Sequence, residues 1–151
     1  MSNSEAINLM KTFVPNKGMG NISFTSTEEE IVAILGKPET REVIDEGDGF
    51  HSVELYFDQQ DISVFLHYDG KDFEYLSIHS NNLLFNGIDF RKENKTTIVD
   101  NIEAYYAANK IKMDLKIEKD LPEYVYTYDN IGLTIWFENE EIVDISVELP
   151  Q

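Results

Sequence analysis

The chain has 151 residues, of which 42% are hydrophobic and 12% aromatic, enough to build a packed core. Its 29 acidic and 12 basic residues leave a formal net charge of −17. Nucleic acid and anionic membranes repel such a chain, so neither is expected as a partner, and the charge favours a basic protein. A merely soluble acidic protein has the same composition. The sequence has no cysteine, which excludes disulfides, thiol nucleophiles and cysteine metal ligands.

The N-terminal sequence MSNSEAINLMKTF has neither a basic segment nor a long apolar run of the kind found in signal peptides. No stretch approaches the ~20 apolar residues of a membrane helix. We therefore expect a cytoplasmic protein. The spacing of Ile7, Met10 and Phe13 predicts a short amphipathic helix over residues 4–13, followed by a loop at Pro15 and the nearby glycines.

A complete helix is predicted between Thr27 and Leu35. Thr27 and Glu30 have the spacing of a capping box, in which each side chain accepts a hydrogen bond from a free backbone amide of the first turn. Gly36 and Pro38 are typical residues after a helix end. Apolar residues at helical spacing form a stripe that must be buried: Ile31, Ile34 and Leu35.

Alternating apolar and polar residues predict antiparallel strands after this helix, and the same order of elements returns in the second half. The predicted strands of the first half cover 40–44, 51–57, 62–68 and 73–79. In the second half, Ile98, Ile102 and Tyr105 predict a helix, and strands are predicted over 113–117 and 124–128. The best internal match aligns residues 61–80 with residues 130–149, which is an offset of 69 residues.

The predicted fold is therefore α+β, with two tandem units, each a short helical segment packed on one face of a roughly four-stranded antiparallel sheet. We divide the chain into an N-terminal helix and loop (1–21), unit one (22–82) and unit two (83–151), which together form one compact, two-lobed domain.

The segment STEEEIVAILGKPE, a capped short helix that ends in LGKP before a sheet, resembles the repeat of the β-lactamase inhibitor protein family. It is also similar to the small outer-membrane lipoproteins of the barrel-assembly machinery. Those families pack a helical segment on a four-stranded sheet, and the inhibitors carry two such units. The likeness is specific for residues 25–39, whereas the second half lacks LGKP. The missing lipoprotein cysteine and signal peptide fit better the small, acidic immunity proteins that protect bacteria from the toxins of competing cells.

The internal match also predicts which side of each strand faces the helices. Ile62, Val64 and Leu66 align with core positions of the second half, so the intervening residues should lie on the opposite face. Aromatic anchors among acidic residues are typical of protein-binding hot spots. The predicted partner-binding residues are Glu54, Tyr56, Phe65, His67, Tyr75, His79, Trp136, Asp144 and Glu148. Alternatively, these aromatics pack across strands, or the two sheets cover each other.

No cofactor and no catalytic site is predicted. His67 and His79, together with Glu54 or Glu74, have a spacing that would allow a metal site, but sheet-surface histidines are usually only polar. The sequence contains no recognisable Ser/His/Asp pattern, phosphate-binding glycine loop or HExxH motif.

The sequence thus predicts a cytoplasmic immunity protein that binds and neutralises a cognate basic toxin, such as a nuclease, and is not an enzyme. The first alternative is an inhibitor or scaffold of the cell envelope, as in the families that the helix resembles. The second is a small enzyme that uses the open side of the sheet.

Overall fold

The computed structural model describes residues 10–149. The helices are α1 (Glu28–Leu35) and α2 (Lys95–Ala108). The strands are β1 (Phe13–Val14), β2 (Gly18–Met19), β3 (Ile22–Ser23), β4 (Thr40–Gly47), β5 (Phe50–Phe57), β6 (Ile62–Asp69), β7 (Asp72–Ser80), β8 (Leu84–Phe85), β9 (Ile88–Asp89), β10 (Leu115–Asp120), β11 (Glu123–Tyr128), β12 (Leu133–Glu138) and β13 (Glu141–Glu148). Short 3₁₀ turns cover Asp58–Gln60, Phe90–Lys92 and Asp129–Ile131.

The helices predicted in the first and second halves of the chain, after the N-terminal segment, are both present. The capping box of α1 is confirmed, because the Thr27 hydroxyl accepts a hydrogen bond from the Glu30 amide and the Glu30 carboxylate accepts one from the Thr27 amide, each at 3.1 Å. Gly36 follows with a φ of 89°, a conformation that side-chain-bearing residues rarely adopt. Helix α2 is capped by the Asn94 side chain, which accepts from the Thr97 amide at 2.9 Å.

The prediction of two tandem helix-plus-sheet units is wrong. Eight strands form one continuous antiparallel sheet in the order β10-β11-β12-β13-β7-β6-β5-β4. The last strands of the two halves, β7 and β13, pair directly, with Ser146 opposite His79 and Val147 opposite Ile78. Smaller sheets form from β1, β2 and β3 and from β8 and β9.

Strand edges explain this difference. Two separate four-stranded sheets would each end in strands whose backbone amides and carbonyls lack partners on one side. Pairing β7 with β13 joins two of these edges, so β4 and β10 are the outer strands of the combined sheet. The alternation of apolar and polar residues would be the same in two separate sheets and in one joined sheet. This alternation determines which side chains are buried, but it does not determine which strand edges pair.

One face of the large sheet carries the hydrophobic core. The predicted inward residues Ile62, Val64 and Leu66 of β6 are at most 2% exposed, which confirms the phase of this strand. The elements outside the large sheet also contribute buried side chains to this cluster: Phe13, Met19, Ile22, Ile31, Leu35, Phe85, Phe90, Ile98, Ile102 and Tyr106. They therefore pack on the same side of the sheet, which we call the helix face.

The helix predicted over residues 4–13 lies mostly outside the described part of the chain. Of its last residues, Met10 is helical and Phe13 already belongs to β1. Nearby, the Asp61 carboxylate accepts hydrogen bonds from four donors of distant segments: Lys11 Nζ at 3.1 Å, the Ser80 hydroxyl at 3.2 Å, the Asn81 amide at 3.1 Å and Arg91 Nη2 at 3.2 Å. Because Lys11 is buried, this carboxylate supplies the counter-charge that makes its burial tolerable.

We expect Leu35→Ala to destabilise the protein by about 2–4 kcal/mol, because Leu35 is 5% exposed and its truncation leaves a cavity between α1 and the sheet. Denaturant unfolding measures the change. The matched control is Ile117→Ala, which truncates an aliphatic residue that is 50% exposed and should cost little. Equal losses in the two variants would contradict the packing of α1 described above.

Candidate protein-binding face

The nine predicted binding residues all lie on the side of the large sheet opposite the core. We call this side the open face. It consists of the side chains that point away from the core on each strand. Three directly opposite pairs of neighbouring strands illustrate it: Glu54–Phe65, His67–Tyr75 and Trp136–Asp144. Their shared position follows from strand alternation, since each is one residue away from a core position.

A continuous track of side chains crosses the open face from β5 to β13. The rings of Tyr56 and Phe65 meet edge to face with centroids 5.8 Å apart, and Phe65 lies 4.7 Å from His79. His79 Nδ1 then lies 3.4 Å from the Asp144 carboxylate on the neighbouring strand β13. The aromatic side chains are each half-buried by their neighbours, so the track is held in place before any partner arrives.

A second pair of rings lies towards the hairpin ends of β6 and β7. His67 and Tyr75 stack with centroids 4.3 Å apart, and His67 Nδ1 is 3.6 Å from the Glu46 carboxylate. Burial raises the pKa of Tyr75, and the negative charges of Glu148 and Glu46 raise it further. Acidic groups therefore surround this stacked pair.

Tyr56 and Glu54 form a tight polar pair at the β5 end of the track. The Tyr56 hydroxyl donates a hydrogen bond to the Glu54 carboxylate two residues away on the same face. This hydrogen bond, with burial and the charges of Glu54 and Glu42, raises the pKa of Tyr56 to about 12. The pair fixes one carboxylate beside an aromatic ring.

Trp136 lies on β12 with Asp144 opposite it on β13 and Val125 opposite it on β11. It is half-buried and belongs to the open face. Of the two predicted acids of β13, Asp144 is the direct neighbour of Trp136, whereas Glu148 pairs with Ser77 of β7 and lies near Tyr75. Asp144 and His79 thus connect Trp136 with the Phe65 ring of the track.

The structure also brings together Ser77, His79 and Asp144, an arrangement that the sequence motifs missed. The Ser77 hydroxyl is 3.4 Å from His79 Nε2, and His79 Nδ1 is 3.4 Å from Asp144. The order of contacts resembles that of a Ser-His-Asp triad. Ser77, however, is 4% exposed and lies in a central strand between β6 and β13, where its backbone takes part in the sheet. We interpret the two contacts as hydrogen bonds that orient the His79 ring.

The histidines are held by different neighbours. His67 contacts Glu46 and His79 contacts Asp144, whereas His51 stacks on Tyr68 on the helix face, with centroids 4.9 Å apart. Within residues 10–149, no group of three histidine or acidic side chains has a geometry that would hold a metal ion. The metal-site alternative, which combined His67 and His79 with Glu54 or Glu74, therefore has no cluster in this part of the chain.

Glu46 and Glu42 are two of the open-face acids that the sequence analysis overlooked. Glu42 pairs with Glu54 across β4 and β5, which the alternation of β4 would have revealed. Glu46 lies at an irregularity between Asp45 and Gly47 where the register of β4 shifts by one residue. Such a bulge changes the side to which a side chain points, so simple alternation fails there.

Comparison of the chain with protein-family models, with curated proteins and with solved structures finds no match. Over the described residues, neither helix is long and apolar enough to cross a membrane. Function is therefore inferred from the open face itself.

We expect Glu54→Gln to lower the pKa of Tyr56 from about 12 towards its ordinary value near 10, because a neutral amide replaces the carboxylate that accepts the Tyr56 hydrogen bond and whose charge opposes ionisation. The folded state raises this pKa, so the pair stabilises the protein fully below pH ~10, and the contribution is lost as the pH rises through about 12. Titration of tyrosinate absorbance measures the shift, with Tyr56→Phe to identify the contribution of this residue. Identical titration curves for wild type and Glu54→Gln would refute the coupling.

Proposed function

We propose that this chain is a binding protein whose open face covers a basic protein, and that it acts as an immunity protein that neutralises a cognate toxin such as a nuclease. The observation that carries the proposal is the combination of an ordered aromatic track with acidic side chains on one uncovered face of the sheet. This combination supports protein recognition, because aromatic anchors supply buried area and the charged residues around them supply selectivity.

The charged residues on the open face are mostly acidic. Strand pairing puts acidic residues from every strand of the large sheet on the open face: Glu42, Glu54, Asp69, Asp72, Glu118, Asp120, Glu123, Glu138, Glu141, Asp144 and Glu148. Among the described strands, Lys116 is the one basic residue on that face. A surface of this kind attracts basic proteins over long range and repels acidic ones.

The aromatic rings of the open face can bind cationic side chains of a partner. Arginine and lysine bind favourably over the faces of tryptophan and tyrosine, and more strongly when a carboxylate lies beside the ring. Tyr75 with Glu148, and Trp136 with Asp144, provide this pairing at two separate places. A shallow recess of about 110 Å³ beside the track, lined by residues that include Asp61, His79 and Asp144, has room for the end of such a side chain.

Neutralisation by coverage requires no reaction. A nuclease holds its substrate in a positively charged groove, and an acidic sheet laid across that groove would exclude the nucleic acid. The likeness of residues 25–39 to an inhibitor family also favours an inhibitory role. The proposal predicts that the gene immediately upstream encodes a large secreted protein with a toxic C-terminal domain, and the test is co-expression of this chain with that domain. Wild-type chain should restore growth, and growth arrest with both proteins expressed would reject the proposal.

We expect association with the toxin to slow markedly as salt rises, because steering by the acidic face is screened over about 10 Å at 0.1 M ionic strength. Asp144→Lys should reduce the on-rate at low salt more than Asp100→Lys, which makes the same charge change on the exposed surface of α2. Stopped-flow or surface-based kinetics measure both rates. Equal effects of the two substitutions would show that only net charge matters and not the open face.

We expect Trp136→Ala to weaken toxin binding by about 2 kcal/mol or more with little change in stability, as for a hot-spot residue outside the core. Trp136→Phe is the control that keeps an aromatic ring and should retain most of the affinity. Binding titrations and thermal melts on both variants separate the two effects. If Trp136→Ala melts far below wild type but its folded fraction binds with unchanged affinity, the anchor assignment is wrong.

A further inference from the structure

The outer strand β4 is exposed along its whole length. All eight residues of Thr40–Gly47 are exposed, and β5 is the neighbour with which β4 pairs. Along its other side, no strand of residues 10–149 pairs with it. The backbone amides and carbonyls on that side are therefore available to another strand.

β4 also has exposed apolar side chains on both faces. Val43 is 57% exposed on the helix face, where its pairing with Val53 places it, and Ile44 is 39% exposed on the open face. The opposite outer strand β10 carries Lys116 and Lys119 and is followed closely by Pro122, which are residues that typically protect an edge. β4 has neither lysine nor proline within its bounds.

We propose that β4 is the interface of a homodimer, in which it pairs antiparallel with β4 of a second copy about a two-fold axis at Val43. The two large sheets then continue into each other. This interface is separate from the open face and does not depend on the proposed toxin partner. A self-complementary patch around a two-fold axis is the commonest way in which identical chains associate.

Charge complementarity selects the register. A two-fold axis normal to the sheet puts the open faces of both copies on the same side of the joined sheet. The axis then passes through one residue of β4, which pairs with the same residue of the second copy. An axis at Glu42 sets Glu42 against Glu42, and an axis at Ile44 sets Glu42 against Glu46, so both bring acids together. An axis at Val43 sets Arg41 against Asp45 of the second copy, twice, and Val43 against Val43. Of these three registers, the one centred on Val43 is the one that pairs opposite charges.

The dimer also predicts an unusual response to salt. Each copy has a net charge of −17, so the two copies repel each other at low ionic strength. Added salt screens this long-range repulsion more than it weakens the two Arg41–Asp45 pairs at contact distance, and the backbone hydrogen bonds and the Val43 contact are insensitive to it. Dimerisation should therefore increase with salt, opposite in sign to the expected association with a basic toxin. The two open faces lie side by side on the same side of the joined sheet.

Cross-linking tests the register directly, because the chain has no cysteine of its own. In the proposed dimer the two copies of residue 43 face each other at a separation that a disulfide can span. Mild oxidation should link Val43→Cys several-fold faster than Ile117→Cys, a comparably exposed position on the other outer strand. Ile44→Cys tests the neighbouring register and should be slow, because residue 44 lies opposite residue 42. Faster linking of Ile44→Cys or Ile117→Cys would overturn the proposal.

Charge exchange provides the second measurement. Sedimentation velocity of the wild type at rising protein concentration and physiological ionic strength should show a monomer–dimer equilibrium, because a screening length of about 8 Å leaves ion pairs at contact distance effective. Arg41→Asp or Asp45→Arg alone should weaken dimerisation at least tenfold, and the double variant should recover most of it. Lys119→Asp, the matched charge change on β10, should have no such effect. Because Arg41 also binds Glu28, at 2.8 Å, thermal melts must show that each variant is folded. A wild type that stays monomeric throughout, or a double variant without recovery, would reject the interface.

Discussion

The pairing of β7 with β13 is the contact on which the architecture depends. It involves four residue pairs, from Ile145–Ser80 to Glu148–Ser77, yet it converts two groups of neighbouring strands into one sheet with one continuous core. It also assembles the open face, because Phe65 and His79 come from one side of this seam and Asp144 and Trp136 from the other. These strands are far apart in sequence, so the seam closes a long loop. We expect its formation to come late in folding, after the local hairpins.

The width of the sheet explains why one face remains open and both outer strands are bare. Helices α1 and α2 and the short strands cover the central strands on the helix face, where Leu66, Ile78 and Ile135 are fully buried. Their cover reaches β4 through the Arg41–Glu28 ion pair but leaves Val43 exposed even though it points to the helix face. A single layer of helices over so many strands leaves much backbone and apolar surface for other molecules.

The sequence was sufficient where the determining interactions are local. The capping box at Thr27 and Glu30 defined the start of α1, and alternation correctly placed residues such as Leu66 and Trp136 on opposite faces. Sequence patterns failed where pairing between distant strands decides the outcome. Nothing in the alternation of β7 shows that its free edge meets β13, and the contact of His79 with Asp144 follows only from that pairing. The bulge that turns Glu46 towards His67 was missed for a local reason, since it breaks the periodicity itself.

The position of the single tryptophan gives the molecule separate optical signals for folding and for occupancy. Trp136 is half-buried, so full exposure on unfolding should shift its emission to longer wavelength. Tyr106 and Tyr128 are almost fully buried in the core, and their near-ultraviolet circular dichroism should follow unfolding independently of the tryptophan. A protein seated on the sheet would exclude water from the indole and shift its emission to shorter wavelength. The unmodified chain is thus its own probe of whether the open face is covered.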